Sequence, residues 1–555
     1  MRTFIQALSL FVFSVLFFFF ANYKLPEWLP ADIYLRLDPL LGLSAILAGR
    51  EFIGRALWSF LLIGATLVVG RFFCAYVCPM GAAIDFLDPL FWHKKVRSGL
   101  KKELAWRRVK FFFLILFLSS SAAGLTLAYL LDPLPFLTRF YTFFLYPLVI
   151  TLINLFLDLF RPIFQALGWM DLSYQHYTQP VFYMVLLTFL IFSGVIFLNR
   201  ISPRFWCRYL CPLGALLSLM SPLGFFKRRV SPECNECLKC VKTCPMGAIE
   251  QDPKKTRLAE CIQCRTCAMV CPKEAIAFPA LPSSIRAHQL GGEYSSVDLT
   301  RRGFLYSFTG GLATAFLVDR PPFTPTLGKQ QIIRPPGALP ESEFLRTCIR
   351  CGECMKSCVT NTLQPSFWES GLSGLWSPRM DPRFAACEQS CNVCGKVCPT
   401  QAIRSLSLEE KTHAKVGTAI LHKERCLVWA QDKLCLICDE ICPYNAIVFR
   451  TVDGYRRPVV IASKCNGCGF CEQRCPVGGT SAIVVVPDGE IRLKEGSYIK
   501  EAQRLQLEFK PDAGDDKFIL ESSGFKVGER ETPEKTAKPV SPQEKPPMKK
   551  PAGFM

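Results

Sequence analysis

Long runs of apolar residues dominate the first 225 residues of the chain and are rare in the rest of it. The runs cover residues 3–20, 56–70, 111–131, 141–160 and 181–198. Uncharged stretches of this kind are typical of helices that cross a bilayer. The pattern therefore predicts an α-helical membrane domain over residues 1–225, and we expect its first run to be an uncleaved anchor.

Two stretches of this domain nearly repeat each other. RFFCAYVCPMGAA (71–83) and RFWCRYLCPLGAL (204–216) share the spacing Cys-x3-Cys-Pro, and each follows an Asp-Pro-Leu loop and an apolar run. The unit helix, loop, helix, Cys-x3-Cys-Pro is thus used twice. This predicts an internal two-fold repeat, an arrangement that often frames a site between its halves.

Positive charge orients the predicted helices. Residues 93–110 and 200–229 are rich in Lys and Arg, and such segments tend to stay in the cytoplasm. Because both segments are expected on the same side, the chain must cross the membrane an even number of times between them. Three apolar runs lie between them, so one of the three should not cross. We expect residues 141–160, like the short run 40–49, to lie on or dip into the outer face. The prediction is four spanning helices with both Cys-x3-Cys-Pro motifs at the inner surface.

Cysteine supplies the second pattern, because 24 of the 28 cysteines fall into six quartets. The quartets at 234–245, 261–272 and 465–476 read Cys-x2-Cys-x2-Cys-x3-Cys-Pro. This is the bacterial ferredoxin spacing, in which the fourth cysteine binds the neighbouring [4Fe–4S] cluster. The other three quartets vary: Val359 replaces a proline, the quartet that starts at Cys387 has a longer first gap, and Cys426 stands apart.

The crosswise rule assigns six sets of four ligands, numbered here in chain order. Set one is Cys234, Cys237, Cys240 and Cys271, and set two is Cys261, Cys264, Cys267 and Cys244. Set three is Cys348, Cys351, Cys354 and Cys398, and set four is Cys387, Cys391, Cys394 and Cys358. Set five is Cys426, Cys435, Cys438 and Cys475, and set six is Cys465, Cys468, Cys471 and Cys442. We expect each set to hold one [4Fe–4S] cluster. Structural zinc and disulfides are the less favoured alternatives.

Four more cysteines, called the membrane thiols below, are Cys74, Cys78, Cys207 and Cys211. Their spacing of four predicts that each pair lies on one face of a helical turn. Because the motif is repeated, we expect the two pairs to converge and to form a metal centre or a redox-active thiol centre. The alternative is that they are buried cysteines that act as small apolar residues. The pattern leaves open whether a seventh cluster is held there.

Other cofactors and partners have little support in the sequence. The membrane domain contains only His93 and His176, so a bis-histidine haem is not indicated. The sequence lacks the Cys-x2-Cys-His motif that would indicate a c-type haem. It also lacks a Gly-x-Gly-x-x-Gly motif that would indicate a flavin or nicotinamide site. The net charge of +19 lies largely beside apolar runs, and no nucleic-acid-binding motif accompanies it.

Residues 298–318 read DLTRRGFLYSFTGGLATAFLV, a twin arginine before a short apolar run. This is the pattern of a Tat export signal, and it predicts a fifth membrane segment with everything after it outside the cytoplasm. A cytoplasmic helix with a basic start is the alternative. After the membrane domain we expect a two-cluster ferredoxin domain (226–285), a linker (286–300), the twin-arginine segment (301–318), a Pro-rich linker (319–342), a four-cluster domain (343–505) and a disordered tail (506–555).

These motifs resemble two types of ferredoxin protein. The membrane domain with its double ferredoxin is similar to the NapH/MauN membrane ferredoxins, which are related to the NosR/CcoG group. RPPGALPESEFLRTCIRCGEC (334–354), GLSGLWSPRMDPR (371–383) and the quartets up to Cys475 resemble the Tat-exported NapG/MauM polyferredoxins. The chain looks like both types fused in one polypeptide with α+β ferredoxin-like domains.

The resemblance implies a bacterial inner-membrane protein of anaerobic respiration. It would carry electrons from quinol to a periplasmic reductase or cytochrome, as part of a quinol dehydrogenase. Asp38 and Asp132 in the repeated loops are candidate quinol proton acceptors, although Asp-Pro more often caps the following helix. The alternative is an assembly, maturation or redox-regulatory ferredoxin that supplies electrons to a partner metalloenzyme.

Overall fold

The computed structural model describes residues 2–20, 32–90, 106–278, 293–294, 300–318 and 332–509. Most of both predicted linkers, and almost all of the predicted tail, lie outside the described residues. The first part of the chain is helical, and the rest combines short strands with short helices.

The helical half consists of two matching series of elements. The first comprises α1 (Arg2–Phe20), α2 (Ile33–Arg36), α3 (Pro39–Gly49), α4 (Trp58–Val69), a π-helical turn (Phe73–Val77) and α5 (Pro79–Leu87). The second comprises α6 (Val109–Ala122), α7 (Pro133–Phe140), α8 (Tyr146–Ala166), α9 (Met170–Ser173), α10 (Val185–Phe197), a π-helical turn (Trp206–Leu210) and α11 (Pro212–Met220). Helices α3, α5, α7 and α11 all begin at proline, whose fixed φ suits the first helical position.

The Cys-x3-Cys-Pro motifs do not form the regular helical turn that their spacing predicts. Cys74 and Cys207 lie within the π-helical turns. Cys78 and Cys211 have extended backbone, with ψ of 115° and 109°, and directly precede the next helix. A residue before proline is disfavoured in helical conformation because the proline ring clashes with it. The turn that carries each pair is therefore π-helical rather than regular and ends at the second cysteine, although the two cysteines of each pair still lie near each other.

The apolar run at 141–160 belongs to a longer helical rod. By length and composition, Pro133–Ala166 is the one helix of the described residues that is long and apolar enough to cross a membrane. The apolar helices Arg2–Phe18, Pro39–Gly49, Gly54–Val69, Val109–Ala122, Val185–Arg200 and Pro212–Leu223 are shorter. The expectation that residues 141–160 lie on the outer face stays a prediction.

The ferredoxin segment, defined as residues 226–278, follows the helical half. It contains α12 (Lys239–Thr243), α13 (Thr266–Met269), β1 (Arg229–Val230), β2 (Lys255–Thr256) and β3 (Ile276–Ala277). β1 and β3 pair antiparallel, with Val230 opposite Ile276. β2 pairs in parallel with β4 (Glu293–Tyr294). Pairing of the first and last strands brings the ends of this segment together around both cysteine quartets.

Helix α14 (Arg301–Val318) contains the twin arginine and packs along α6. Gly303 faces Phe112, and Gly311 faces Leu116 and Ser119. Because the facing residue numbers rise together, the two helices run in the same direction. Ala315 and Val318 are buried in the same apolar core as the helical half.

The C-terminal segment, defined as residues 332–509, repeats short helices and hairpins. Its helices are α15 (Glu341–Thr347), α16 (Glu353–Lys356), α17 (Val393–Lys396), α18 (Leu408–His413), α19 (Leu427–Ala430), α20 (Ile437–Glu440), α21 (Phe470–Gln473) and α22 (Tyr498–Arg504). Its strands are β5 (Leu363–Pro365), β6 (Pro378–Met380), β7 (Thr418–Leu421), β8 (Ile447–Val452), β9 (Tyr455–Val460) and β10 (Ile483–Val486). The antiparallel pairs are β5–β6, β7–β10 and β8–β9.

The helical half lies between the two cysteine-rich segments, and helix α1 touches both. At its start, Arg2 Nη1 lies 3.5 Å from Thr266 Oγ1 of the ferredoxin segment. Near its end, the carbonyl of Phe17 accepts a hydrogen bond of 3.0 Å from Lys356 Nζ of the C-terminal segment. Helix α1 therefore runs from the ferredoxin segment towards the C-terminal segment.

Helix α6 has the same direction. Lys110 Nζ in its first turn lies 2.6 Å from a carboxylate oxygen of Glu260 in the ferredoxin segment. Beyond its last turn, Thr126 Oγ1 donates to the carbonyl of Leu345, at 3.2 Å, in the C-terminal segment. Since α14 is parallel to α6, it also begins on the ferredoxin side.

Helices α4 and α10 run the opposite way. Before α4, Arg55 Nη1 lies 3.5 Å from the carbonyl oxygen of Lys396, and after it Arg71 Nη1 donates to the carbonyl of Ala259 at 2.7 Å. Before α10, the amide of Tyr183 donates to Gln364 at 3.2 Å. After α10, Arg208 Nη2 donates to the carbonyl of Pro245 at 2.7 Å. Four helices thus run between the two segments, and α14 lies parallel to one of them.

Gly311 provides a test of the contact between α14 and α6. A Cβ at this position would overlap Ser119 Oγ and the carbonyl of Leu116, whereas a Cβ at Gly310 would meet nothing within 4 Å. We expect Gly311→Leu to separate the two helices and to lower the amount of folded full-length chain about tenfold, because overpacking costs about 1–3 kcal/mol or more. Gly310→Leu is the matched control. Equal yields of both variants in detergent extracts would contradict this packing.

Candidate metal centres

Two cavities in the C-terminal segment are lined by complete cysteine sets. Cys442, Cys465, Cys468 and Cys471 of set six line the first cavity. Cys348, Cys351, Cys354 and Cys398 of set three line the second cavity. Each lining combines three cysteines of one quartet with the fourth cysteine of its neighbour, as the crosswise rule expects.

Glycine allows the chain to turn closely around the set-six cavity. Gly467 and Gly469, between its cysteines, have φ of 88° and 93°, a conformation that glycine adopts at little cost. A Cβ on Gly467 would also lie 2.6 Å from the backbone nitrogen of Gly417. The Cys-x2-Cys-x2-Cys loop therefore needs glycine here for both conformation and space.

The structure also brings together the cysteines of the other sets. In set two, Cys261 lies near Cys244, Cys264 and Cys267. In set four, Cys394 lies near Cys391, Cys387 and Cys358. In set five, Cys438 lies near Cys426, Cys435 and Cys475. In set one, Cys240 lies near Cys234 and Cys237 and belongs to the same apolar group as Cys271.

Backbone amides point at several of these sulfurs. Cys244 Sγ accepts from the amide of Ala248 at 3.3 Å, and Cys442 Sγ accepts from that of Ala446 at 3.3 Å. Ile403 donates to Cys398 Sγ at 3.5 Å. Hydrogen bonds to ligand sulfurs favour the thiolate and raise the reduction potential of a bound cluster. Sequence spacing alone did not reveal these donors.

The chemistry of the sets fits a cluster better than a single ion. Burial raises the pKa of Cys261 to about 12 and that of Cys438 to about 12, so four buried thiolates need a positively charged group among them. Within the described residues, no three His, Cys, Asp or Glu side chains lie close enough together to hold one metal ion. A cubane spreads its four thiolate ligands around an inorganic core, which matches the four cysteines that line each cavity.

Contacts between the sets give their spatial order. Cys354 of set three lies near Cys394 of set four. The amide of Cys387 in set four donates to the carbonyl of Cys468 in set six at 2.8 Å. Cys471 of set six lies near Cys438 of set five. The order in the C-terminal segment is therefore three, four, six, five, which differs from the order along the chain.

The membrane thiols of the two repeats meet. Cys74 lies near Cys78, Cys207 and Cys211. Cys74 and Cys207 pack against a small apolar cluster, and Cys244, Cys261 and Cys264 of the ferredoxin segment pack against the same cluster. On the other side, Cys78 and Cys211 share an apolar core with Cys351 of set three. The convergence expected from the repeat is therefore present.

Asp38 and Asp132 also lie close to each other between the repeats. Each is fully buried and caps the next helix: Asp38 accepts from the amide of Leu40 at 2.9 Å, and Asp132 from that of Leu134 at 3.1 Å. The capping role is thus confirmed. A role in accepting quinol protons stays a prediction.

Comparison with known proteins agrees with these sites. The methylamine utilization ferredoxin-type protein MauM of Paracoccus denitrificans is 37% identical over 186 residues, which is 32% of this chain and 80% of the relative. The ferredoxin-type protein NapG of Escherichia coli K12 is 36% identical over 166 residues, or 28% of this chain and 70% of the relative. The chain belongs to the MauM/NapG family of ferredoxin-type proteins.

General 4Fe-4S domain families also match several parts of the chain. A 4Fe-4S dicluster domain matches residues 433–479. 4Fe-4S binding domains match residues 52–98 and 181–232, and another matches residues 234–248. The ferredoxin-type protein NapF of Escherichia coli K12 is 33% identical over 152 residues, or 27% of this chain and 84% of the relative. No solved structure matches the chain.

The predicted ferredoxin character is therefore confirmed: this member of the MauM/NapG family carries several 4Fe-4S domains and is an iron–sulfur electron-transfer protein. The resemblance of the first 285 residues to the NapH/MauN and NosR/CcoG groups stays a prediction.

Proposed function

We propose that the chain is a membrane-anchored protein that carries electrons from the quinol pool to a periplasmic reductase or cytochrome. The observation that carries this proposal is the spatial series of cysteine sets. Sets one and two lie on one side of an apolar helical core, and sets three, four, six and five lie on the other. A series of thiolate sets on both sides of a membrane core suits electron transfer across it.

Each of the six sets would supply the ligands of one [4Fe–4S] cluster. Cysteines of the same set lie together in every case, and two sets enclose cavities. When bound, the clusters supply one-electron redox chemistry. The chain itself would hold them, shield them from water and set their potentials through amide donors such as Ala446.

The helical half would cross the bacterial inner membrane with α1, α4, α6 and α10, and α14 would be a fifth span. Phe4, Leu159 and Leu186 illustrate its outward apolar side chains, each about 70% exposed, and large exposed apolar surfaces mark membrane or protein contacts. Helices α6 and α14 both begin beside the ferredoxin segment, and basic residues lie at 93–110, before and at the start of α6, and at the start of α14. Because such basic segments tend to stay in the cytoplasm, the ferredoxin segment would be cytoplasmic and the C-terminal segment periplasmic.

Sidedness can be measured directly. We expect a phosphatase that is active only outside the cytoplasm to be active when fused after residue 509, and inactive when fused after residue 278. Replacing Arg301 and Arg302 with Lys should prevent export of the first fusion if the Tat pathway reads this pair. Activity of a cytoplasm-only reporter after residue 509 would exclude a periplasmic C-terminal segment.

Electron transfer from quinol can be tested on the purified full-length chain. Anaerobic addition of a menaquinol or ubiquinol analogue should reduce the clusters, seen by EPR, and a soluble acceptor dye should reoxidise them. Repeated turnover supports a respiratory function. A single turnover per client protein would instead indicate a maturation factor, and no reduction by either quinol would contradict the proposed electron donor.

A further inference from the structure

Two arginines occupy equivalent positions beside the membrane thiols. Arg71 and Arg204 each stand three residues before the first cysteine of their motif, and both are buried, with 0% and 1% exposure. Arg204 Nη1 donates to the carbonyl of Cys74 at 3.1 Å. A Cβ on Gly214 would lie 3.0 Å from Arg71 Nη2. Each arginine thus reaches the motif of the opposite repeat.

Arg71 points part of its charge at the thiols. Its Nη1 donates to a backbone carbonyl, but its Nε and Nη2 atoms are buried without an oxygen or nitrogen partner. Cys74 and Cys211 are the nearby groups that can carry negative charge, besides Glu260. A buried donor without a partner is destabilising, and an anionic group held by these thiols would supply that partner.

Glycine keeps the space around the thiols open in both repeats. A Cβ on Gly214 would lie 3.3 Å from Cys211 Sγ, and a Cβ on Gly81 would lie 3.2 Å from the carbonyl oxygen of Cys74. Both glycines stand ten residues after the arginine of their repeat. The four thiols, two arginines and two glycines therefore form one site with approximate two-fold symmetry.

We propose that Cys74, Cys78, Cys207 and Cys211 together hold one further [4Fe–4S] cluster, shared between the two repeats, with Arg71 and Arg204 offsetting its negative charge. Four thiolates are the usual ligands of such a cluster, and within the described residues no three of these side chains converge closely enough for a single ion. The inference builds on the proposed electron-transfer function.

The position of this site gives it a role in the series. Cys74 and Cys207 pack against the same apolar cluster as three cysteines of set two, whereas Cys78 and Cys211 lie in the core that reaches Cys351 of set three. Without a redox centre there, the helical core would separate sets two and three. A centre shared by the repeats divides that distance into two shorter electron-transfer steps.

Iron and acid-labile sulfide in the anaerobically purified full-length chain test the proposal. We expect about 28 iron atoms per chain, against about 24 if only sets one to six are filled. The double variant Cys207→Ser/Cys211→Ser should lose about four irons and one EPR component. Ser218→Ala, a buried change in the same helix α11, is the matched control and should keep the full iron content.

The possible results distinguish failure of the shared cluster from failure of the proposed electron-transfer function on which it rests. About 24 irons in the unaltered chain, or alkylation of all four membrane thiols in folded protein, would overturn the shared cluster. One zinc ion bound by these cysteines would also overturn it. Full iron content without reduction by quinol would contradict the proposed function and leave the site intact. If the double variant does not accumulate, the iron count and thiol labelling of the unaltered chain decide.

Discussion

Replacement of Cys471 by serine is expected to stop electrons before they reach set five. Cys471 is buried and lines the set-six cavity, and set six lies between sets four and five. Loss of an outer partner of a metal ligand already costs about 10–100-fold in affinity or activity, so loss of the ligand itself should cost about 100-fold or more. The measurements are iron content, EPR and the rate of quinol-dependent dye reduction.

The control for this variant is Cys237→Ser in set one. Cys237 is exposed and lies in the ferredoxin segment, beyond the route from the helical core to set five. We expect this variant to lose about four irons and to keep most of the quinol-to-dye rate. If Cys471→Ser keeps the rate, or Cys237→Ser loses it equally, the spatial order does not describe the electron path.

Replacement of Glu260 by leucine is expected to loosen the ferredoxin segment from the helical half. Both oxygens of the buried Glu260 carboxylate accept from Lys110 Nζ, at 2.8 and 2.6 Å, and Arg71 lies 3.9 Å away. Removing one partner of a buried ion pair costs about 3–5 kcal/mol because the remaining charges are left without compensation. Faster proteolysis and hydrogen exchange of residues 226–278 should report the loss.

Acid should weaken the same contact. Burial raises the pKa of Glu260, but the charges of Lys110, Arg71 and Arg107 outweigh burial and hold the pKa below its ordinary value of 4.5. A lowered folded-state pKa stabilises the contact above the ordinary value, and the stabilisation is lost as the pH falls through the folded-state pKa. Protection of residues 226–278 should therefore fall below about pH 4.5, and Glu260→Leu should remove that dependence.

The matched control is Glu236→Leu, which removes an exposed ion pair with Lys254. Exposed pairs contribute only about 0–1 kcal/mol, so protection should change little. The repeat also suggests a rescue. Asp85, seven residues after Cys78, pairs with Arg204 at 2.6 Å, and Ser218 is the equivalent residue in the second repeat. Ser218→Asp should restore part of the stability that Glu260→Leu removes, and no rescue would contradict this equivalence.

The cysteine pattern predicted more of the candidate sites than any other feature. The crosswise rule depends on local loop geometry, and the structure brings together the same sets that spacing indicates. The rule also applied at Val359, where the usual proline is missing, because Cys358 still lies near Cys394 of set four. Whether these cysteines ligate clusters stays a prediction until iron is measured.

Features that depend on contact between distant residues could not be predicted from the sequence. A spacing of four suggested one helical turn for Cys74 and Cys78, but the following proline ends that turn. The closeness of Asp38 to Asp132, and that of Arg71 to Gly214, require the two repeats to be packed together. The spatial order of sets four, six and five also follows from packing, because loop spacing gives only neighbours along the chain.

Helix α14 has a consequence for how the two cysteine-rich segments associate. Two separate proteins would meet at a rate set by their copy numbers and would part on dilution. A covalent tether replaces that encounter with an intramolecular one, at an effective concentration that is about millimolar for short flexible linkers. Through α14, every ferredoxin segment has its own C-terminal segment in equal stoichiometry, and the junction between them does not depend on expression level.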